Sequence, residues 1–134
     1  MRLVSVRVIT NDVARLVEFY EQVTGLEARR PAEQFAELVA PSCKLAIGSA
    51  ETMALFSAGA AVPESNRTAI LEFLVEDVDG EYERLRSLAV SPEIVQQPTT
   101  MPWGNRSLLF RDPDGNLVNL FTPHTDEARA RLAR

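Results

Sequence analysis

One cysteine, one histidine and one tryptophan appear in 134 residues. Cys43 alone cannot form an internal disulfide or a cysteine-rich metal site, and His124 alone cannot build a multi-histidine metal cage within one chain. Positive charge is scarce too. Against 19 Asp and Glu stand 14 Lys and Arg, a formal net charge of -5. A nucleic-acid partner needs a concentrated positive face, so none is expected. No apolar run approaches the roughly 20 residues of a membrane span, and no membrane partner is expected either. The segment Met1–Asp12 has no continuous apolar stretch and no small-residue cleavage site, so it does not read as a signal peptide, and the expected location is cytoplasmic. What remains is 46% hydrophobic and 25% charged, enough for one domain with a real core.

An internal repeat organises the chain. Asp12-Val13 and Asp77-Val78 lie 65 positions apart, as do Leu55-Phe56 and Leu120-Phe121. A strand-like run precedes each aspartate, over residues 4–9 and 69–75. A helix-like segment follows each, with Val13, Val17, Tyr20 and Val23 matched by Val78, Tyr82, Leu85 and Leu88 at a period near 3.6. Both aspartates suit the N-cap, and Gly25 suits the C-terminal end of the first helix. Strand-like pieces then follow at about 35–40, 44–47 and 52–56 in the first half, and at 94–97, 106–110 and 117–122 in the second. Asp112-Pro-Asp-Gly-Asn116 reads as the turn of a hairpin. The expected fold is α+β, with two βαβββ modules in one chain: module 1 over 1–57, a linker over 58–66, module 2 over 67–123 and a tail over 124–134 that forms a short helix.

Alternate residues of a strand face opposite sides of the sheet. One parity (Val4, Val6, Val8; Met53, Leu55; Leu71, Phe73, Val75; Val118, Leu120) is wholly apolar and is expected beneath the helices. The other (Ser5, Arg7, Ile9; Thr52, Ala54, Phe56; Ile70, Glu72, Leu74; Leu117, Asn119, Phe121) mixes aromatic, aliphatic and polar groups, as small-molecule pockets do.

The stretches Asn11–Leu26, Val75–Val78 and, most specifically, Trp103–Phe121, in this order and with this repeat, resemble the vicinal oxygen chelate superfamily, which includes glyoxalase I, extradiol dioxygenases and bleomycin-resistance proteins. The resemblance spans nearly the whole chain. It implies paired βαβββ modules whose mixed sheets curl around a cavity, and a homodimer. Metal-dependent members carry ligands at four positions that fall here on Ser5, Ala54, Ile70 and Asn119. None is His, Glu or Asp, so the resemblance implies a member without the metal, and no cofactor is expected.

Several residues remain candidates for ligand contact. Arg7 and Glu72 occupy equivalent places in the repeat, either as an ion pair with each other, as partners of a ligand, or as solvated strand charges. Trp103, on a Pro/Gly-bounded loop, is placed to stack on a flat ligand or to plug the rim of the sheet. Arg106 is a candidate to reach into the cavity, where a guanidinium favours an anionic or carbonyl-bearing ligand. Phe35, Ala54, Phe56, Asn119 and Phe121 complete the expected lining, and parity does not place Phe110. His124 reads as a surface side chain and Cys43 as a small strand-end residue. Asp112-x-Asp-x-Asn116 opens like a calcium loop, but Leu117 and Pro123 stand where such a loop needs Gly and Glu, so it is a turn.

Two functions fit this inventory. The first is a metal-free small-molecule-binding protein of the bleomycin-resistance type, holding a hydrophobic or aromatic ligand. The second is a lyase, isomerase or dioxygenase-like enzyme with relocated chemistry, in which Arg7, Glu72, Asn119 and Arg106 are the polar actors. A structural role in partner binding, with the tail clasping a dimer, is a third.

Overall fold

The computed structural model describes residues 1–133. The chain divides into two compact units, Met1–Arg67 and Thr68–Arg134, each built on a four-stranded mixed sheet.

In the first unit, β1 (Ser5–Thr10) leads into α1 (Val13–Thr24), then β2 (Ala28–Ala32), β3 (Phe35–Val39) and β4 (Lys44–Ser49). The strand order is β1-β4-β3-β2. β1 pairs with β4 in parallel, and the other neighbours are antiparallel. Asp12 caps α1 as expected, its Oδ1 accepting from the Arg15 amide at 3.0 Å. Gly25 ends the helix in the left-handed region at φ 71, where only glycine enters without a steric penalty. Val13, Leu16, Val17, Phe19, Tyr20 and Val23 are buried along one face of α1. They meet Ala36, Leu38, Leu45 and Ile47, which are also buried.

Two expectations fail in this unit. Residues 52–56 are not a strand; Ala50–Leu55 form a 3-10 helix. The place beside β1 is already filled by Lys44–Ser49. The Thr52 hydroxyl then donates to the Ser49 carbonyl at 2.7 Å and turns the chain away. Met53 and Leu55 therefore contribute nothing to the helix-covered face, and Leu55 is 86% exposed. Val4 and Val6 are exposed as well, because β1 is an edge strand and α1 lies against β3 and β4. The strand that completes the module is β2, whose Arg29-Arg30-Pro31 carries no apolar alternation. Proline is tolerated there because β2 is the opposite edge.

The second unit repeats the plan with β5 (Ile70–Leu74), α2 (Val78–Arg86), β6 (Glu93–Thr100), β7 (Asn105–Arg111), β8 (Leu117–Pro123) and α3 (Asp126–Leu132). Its order is β5-β8-β7-β6, with β5 and β8 parallel. Asp77 caps α2, accepting from the Gly80 amide at 3.1 Å. Val78 and Leu85 of α2, Leu108 and Phe110 of β7, and Val118 and Leu120 of β8 are buried together. The register that pairs Leu108 with Leu120 and Phe110 with Val118 sets all four on the helix-bearing side. This places Phe110 in the core. The hairpin turn forms as expected. Asp112 Oδ1 accepts from the amides of Asp114 and Asn116, each at 2.9 Å, and Oδ2 accepts from Asn116 Nδ2 at 2.7 Å.

Candidate functional site

Each sheet has one face under α1 or α2 and an opposite face that this α-helix does not cover. In the first unit, strand parity and register set Ser5, Arg7 and Ile9 of β1 on the uncovered face. Beside them lie Lys44, Ala46 and Gly48 of β4, then Phe35, Glu37 and Val39 of β3. The Arg7 guanidinium lies over two aromatic rings, 4.7 Å from the centroid of Phe35 and 5.3 Å from that of Phe56. Such stacking contributes about 0.5–1 kcal/mol at exposed sites and orients the guanidinium.

Phe56 reaches Arg7 by a route the sequence pattern does not show. Gly48 has no Cβ, and the 3-10 helix passes close above it. A Cβ at Gly48 would sit 3.0 Å from Thr52 Oγ1, 3.6 Å from Ile9 Cδ1 and 3.8 Å from Arg7 Cδ. The turn anchored by Thr52 brings Phe56 round to the open face, where it is 68% exposed. Ala54 is exposed on that 3-10 helix and is not part of the sheet lining.

In the second unit the uncovered face carries Ile70, Glu72 and Leu74 of β5, Leu117, Asn119 and Phe121 of β8, and Ser107 and Leu109 of β7. Glu72 and Asn119 are register partners, and Asn119 Nδ2 donates to Glu72 Oε2 at 2.8 Å. Asn119 is 8% exposed, and its Oδ1 is buried without a hydrogen-bond partner. Burying an acceptor without a partner costs about 1–3 kcal/mol.

Arg106 is not on this face. It shares the parity of Leu108 and Phe110, and so projects toward α2. There it forms a bidentate pair with Asp79, Nε to Oδ2 at 2.8 Å and Nη2 to Oδ1 at 2.9 Å, while Nη1 donates to Thr100 Oγ1 at 3.1 Å. Hydrogen bonding from Arg106 holds the Asp79 carboxyl below its ordinary value, against a smaller opposing effect of burial, with the charges of Arg106 and His124 adding to the lowering. The same bond raises the Arg106 pKa. Nothing in the sequence marks this partnership, because Asp79 is 27 positions away. Trp103 is 55% exposed in the turn before β7. Its carbonyl accepts from Arg131, and the next residue, Gly104, accepts from the His124 amide at 2.8 Å. The loop is therefore tied to the C-terminal segment. His124 is exposed, and Cys43 is a free, half-buried thiol.

A recess of about 340 Å³ opens at the N-terminal end of α1, where Thr10, Asp12, Arg30, Glu33, Ser49 and Glu51 contribute to its lining. It holds none of the residues expected from sequence to contact a ligand.

Residues 2–120 match the Glyoxalase/Bleomycin resistance protein/Dioxygenase superfamily, and the chain belongs to that family. It is 32% identical over 127 residues to the uncharacterized protein YraH of Bacillus subtilis (strain 168), covering 90% of this chain and 98% of that protein. Among solved structures it is similar to a glyoxalase/bleomycin resistance protein/dioxygenase from Nocardioides. The TM-score is 0.75 at 26% identity, over 94% of this chain and 85% of that one. A family enzyme from Burkholderia phytofirmans PsJN shares the fold, with a TM-score of 0.78 at 20% identity over 92% and 99% of the two chains.

The family's metal-dependent members set a test for these residues. The second unit offers Ile70 and Asn119. In the first unit, Ser5 holds the place of Ile70, and the residue beside Arg7 that corresponds to Asn119 beside Glu72 is Ala46, not Ala54. A hydroxyl and an amide are the only side-chain donors in this set. Divalent cations take carboxylate, imidazole or thiolate ligands, so these residues do not fit one. Among the described residues no cluster of three or more His, Cys, Asp or Glu is placed to hold a metal ion.

Proposed function

We propose that this chain is a metal-free small-molecule-binding protein of its family, holding a hydrophobic or aromatic ligand against the uncovered sheet faces. The observation that carries this reading is the cluster of Arg7, Phe35 and Phe56, in which large apolar rings and a cation stand together on a face without helix cover. Ile70 and Leu74 on the corresponding face of the second unit are exposed aliphatic side chains, and grouped apolar exposure of this kind marks binding surfaces. Affinity in such a site comes from aromatic area plus a few placed polar groups and needs no nucleophile.

The test is a ¹H–¹⁵N correlation titration with planar aromatic compounds. Binding should shift the amides of Phe35, Gly48 and Phe56, or those of Glu72, Asn119 and Phe121, while Leu16, Phe110 and Val118 stay in place. Shifts confined to helix-facing residues would contradict the reading.

A second reading, a lyase, isomerase or dioxygenase-like enzyme, is favoured by the hydrogen bond from Asn119 that orients the Glu72 carboxylate. Glu72→Gln would abolish turnover in that case and leave binding largely intact. The chain is further proposed to act in the cytoplasm as a homodimer, without cofactor and without a nucleic-acid or membrane partner. The acidic balance argues against a nucleic-acid partner, and among the described residues no helix is long and apolar enough to cross a membrane.

A further inference from the structure

Among the described residues of its own unit, Arg7 is a cation without an anion. Most of the other arginines are engaged. Arg84, Arg86, Arg106 and Arg129 form ion pairs, and Arg30, Arg111 and Arg131 donate to backbone carbonyls. The Arg7 guanidinium lies over the two aromatic rings, and among the described residues of its unit no oxygen accepts a hydrogen bond from its side chain. Glu37, the carboxylate on the same sheet face, is paired with Lys44 at 3.5 Å. It also lies two strands from Arg7, with Ala46 between them, a backbone separation of about 10 Å.

Phe35 and Phe56 flank the guanidinium carbon at 4.7 and 5.3 Å, and the coplanar N–H groups along its edge have no oxygen partner among the described residues of this unit. That edge complements a carboxylate, which accepts two parallel N–H bonds in one plane. The apolar rings on which Arg7 lies offer matching surface for a flat, unsaturated body attached to the carboxylate.

We propose that Arg7, Phe35 and Phe56 form a recognition site for a planar aromatic carboxylate. This rests on the small-molecule-binding reading above and names the chemical class of the ligand. Arg7 fixes the carboxylate, while Phe35 and Phe56 supply the apolar contact and keep the guanidinium oriented. The second unit's open face is not needed for this recognition.

The test compares benzoate, 1-naphthoate and 9-anthroate with their neutral carboxamides by isothermal titration calorimetry, using the full chain, Arg7→Met and Arg7→Lys. Met keeps an unbranched apolar stem and removes the charge; Lys preserves the charge and removes the planar fork. The expected result is that at least one acid binds at least tenfold more tightly than its amide. Arg7→Met should then lose at least tenfold for the acid and change less than twofold for the amide, with Arg7→Lys between. The Arg7 Nε–H resonance should move with the acid and not with the amide, a readout that a purely structural role for Arg7 would not produce. Acids and amides binding alike, or a preference for acids that survives Arg7→Met, would overturn this inference and leave the small-molecule reading standing. Failure of every acid and every amide to bind would overturn both. Matching ¹H–¹⁵N spectra of the variants and the parent chain establish that the fold is retained.

Discussion

Replacing Gly104 by alanine tests how the Trp103 loop is held. Gly104 has φ 92, outside the comfortable range of an L-residue, at a cost of about 1–2 kcal/mol. The new Cβ would also overlap Thr125 Oγ1 and lie 3.0 Å from Thr125 Cγ2. Thr125 is the N-cap of α3, its Oγ1 accepting from the Ala128 amide at 3.1 Å. Relief of the overlap requires Thr125 to rotate and give up that bond, which costs about 1 kcal/mol. Gly104→Ala should therefore destabilise the second unit by about 2–3 kcal/mol. Thr125→Ala alone should cost about 1 kcal/mol, for the lost cap. The two effects share one cause, so the double variant should be no less stable than Gly104→Ala, a departure from additivity of about 1 kcal/mol. Urea unfolding followed by the fluorescence of Trp103, the sole tryptophan, measures all four proteins at the affected loop. A Gly104→Ala protein within 0.5 kcal/mol of the parent, or strictly additive variants, would refute the reasoning.

Other outcomes follow from side chains already described. Asp112→Ala removes a 5%-exposed carboxylate that organises the β7–β8 turn through the amides of Asp114 and Asn116 and the side chain of Asn116. It should cost about 3 kcal/mol in denaturant unfolding. Asp79→Asn should show a pH-dependent deficit. The folded-state pKa of Asp79 is depressed below its ordinary 3.8, so the stabilisation is present above that value and is lost as pH falls through the lower folded value. The gap in urea midpoint between parent and variant should close across that acid range, and a gap that widens toward low pH would contradict the assignment.

Much of the fold was legible because its signals are local. Asp12 and Asp77 each precede an amphipathic run, and each caps its helix through its own side chain. The Asp112–Asn116 turn is equally self-contained. The last strand of the first module was not legible, because two segments compete for one place. Residues 52–56 match Leu117–Phe121 in pattern and keep the 65-residue offset, yet Lys44–Ser49 pair with β1. Measured at Lys44 and Leu117, which hold corresponding places beside Ser5 and Ile70, the offset is 73. The repeat is thus longer in its second copy, and a constant offset carried Ala54 into a position that Ala46 holds.

The site was legible in part for the same reason. Arg7, Phe35 and Phe56 were all candidates, and they do come together, though Phe56 arrives by a 3-10 helix and not along a strand. Glu72 and Asn119 were separate candidates, and parallel pairing made them neighbours. Arg106 showed the limit of parity without register. Its side of the sheet is fixed by Leu108 and Phe110, and its partner Asp79 by the packing of α2, neither of which a strand pattern in isolation reveals.

We propose that this chain binds a small molecule without a metal. The most direct measurement is the metal content of protein purified without a histidine tag or chelator, with thermal melting repeated in Ni²⁺, Zn²⁺, Mn²⁺ and Fe²⁺. A site filled at about 100 times its Kd would stabilise the fold by roughly 2.7 kcal/mol, a shift of several degrees. The account predicts no stoichiometric metal and no such shift with any of the four ions. A near-stoichiometric metal, or a shift of several degrees, would contradict it.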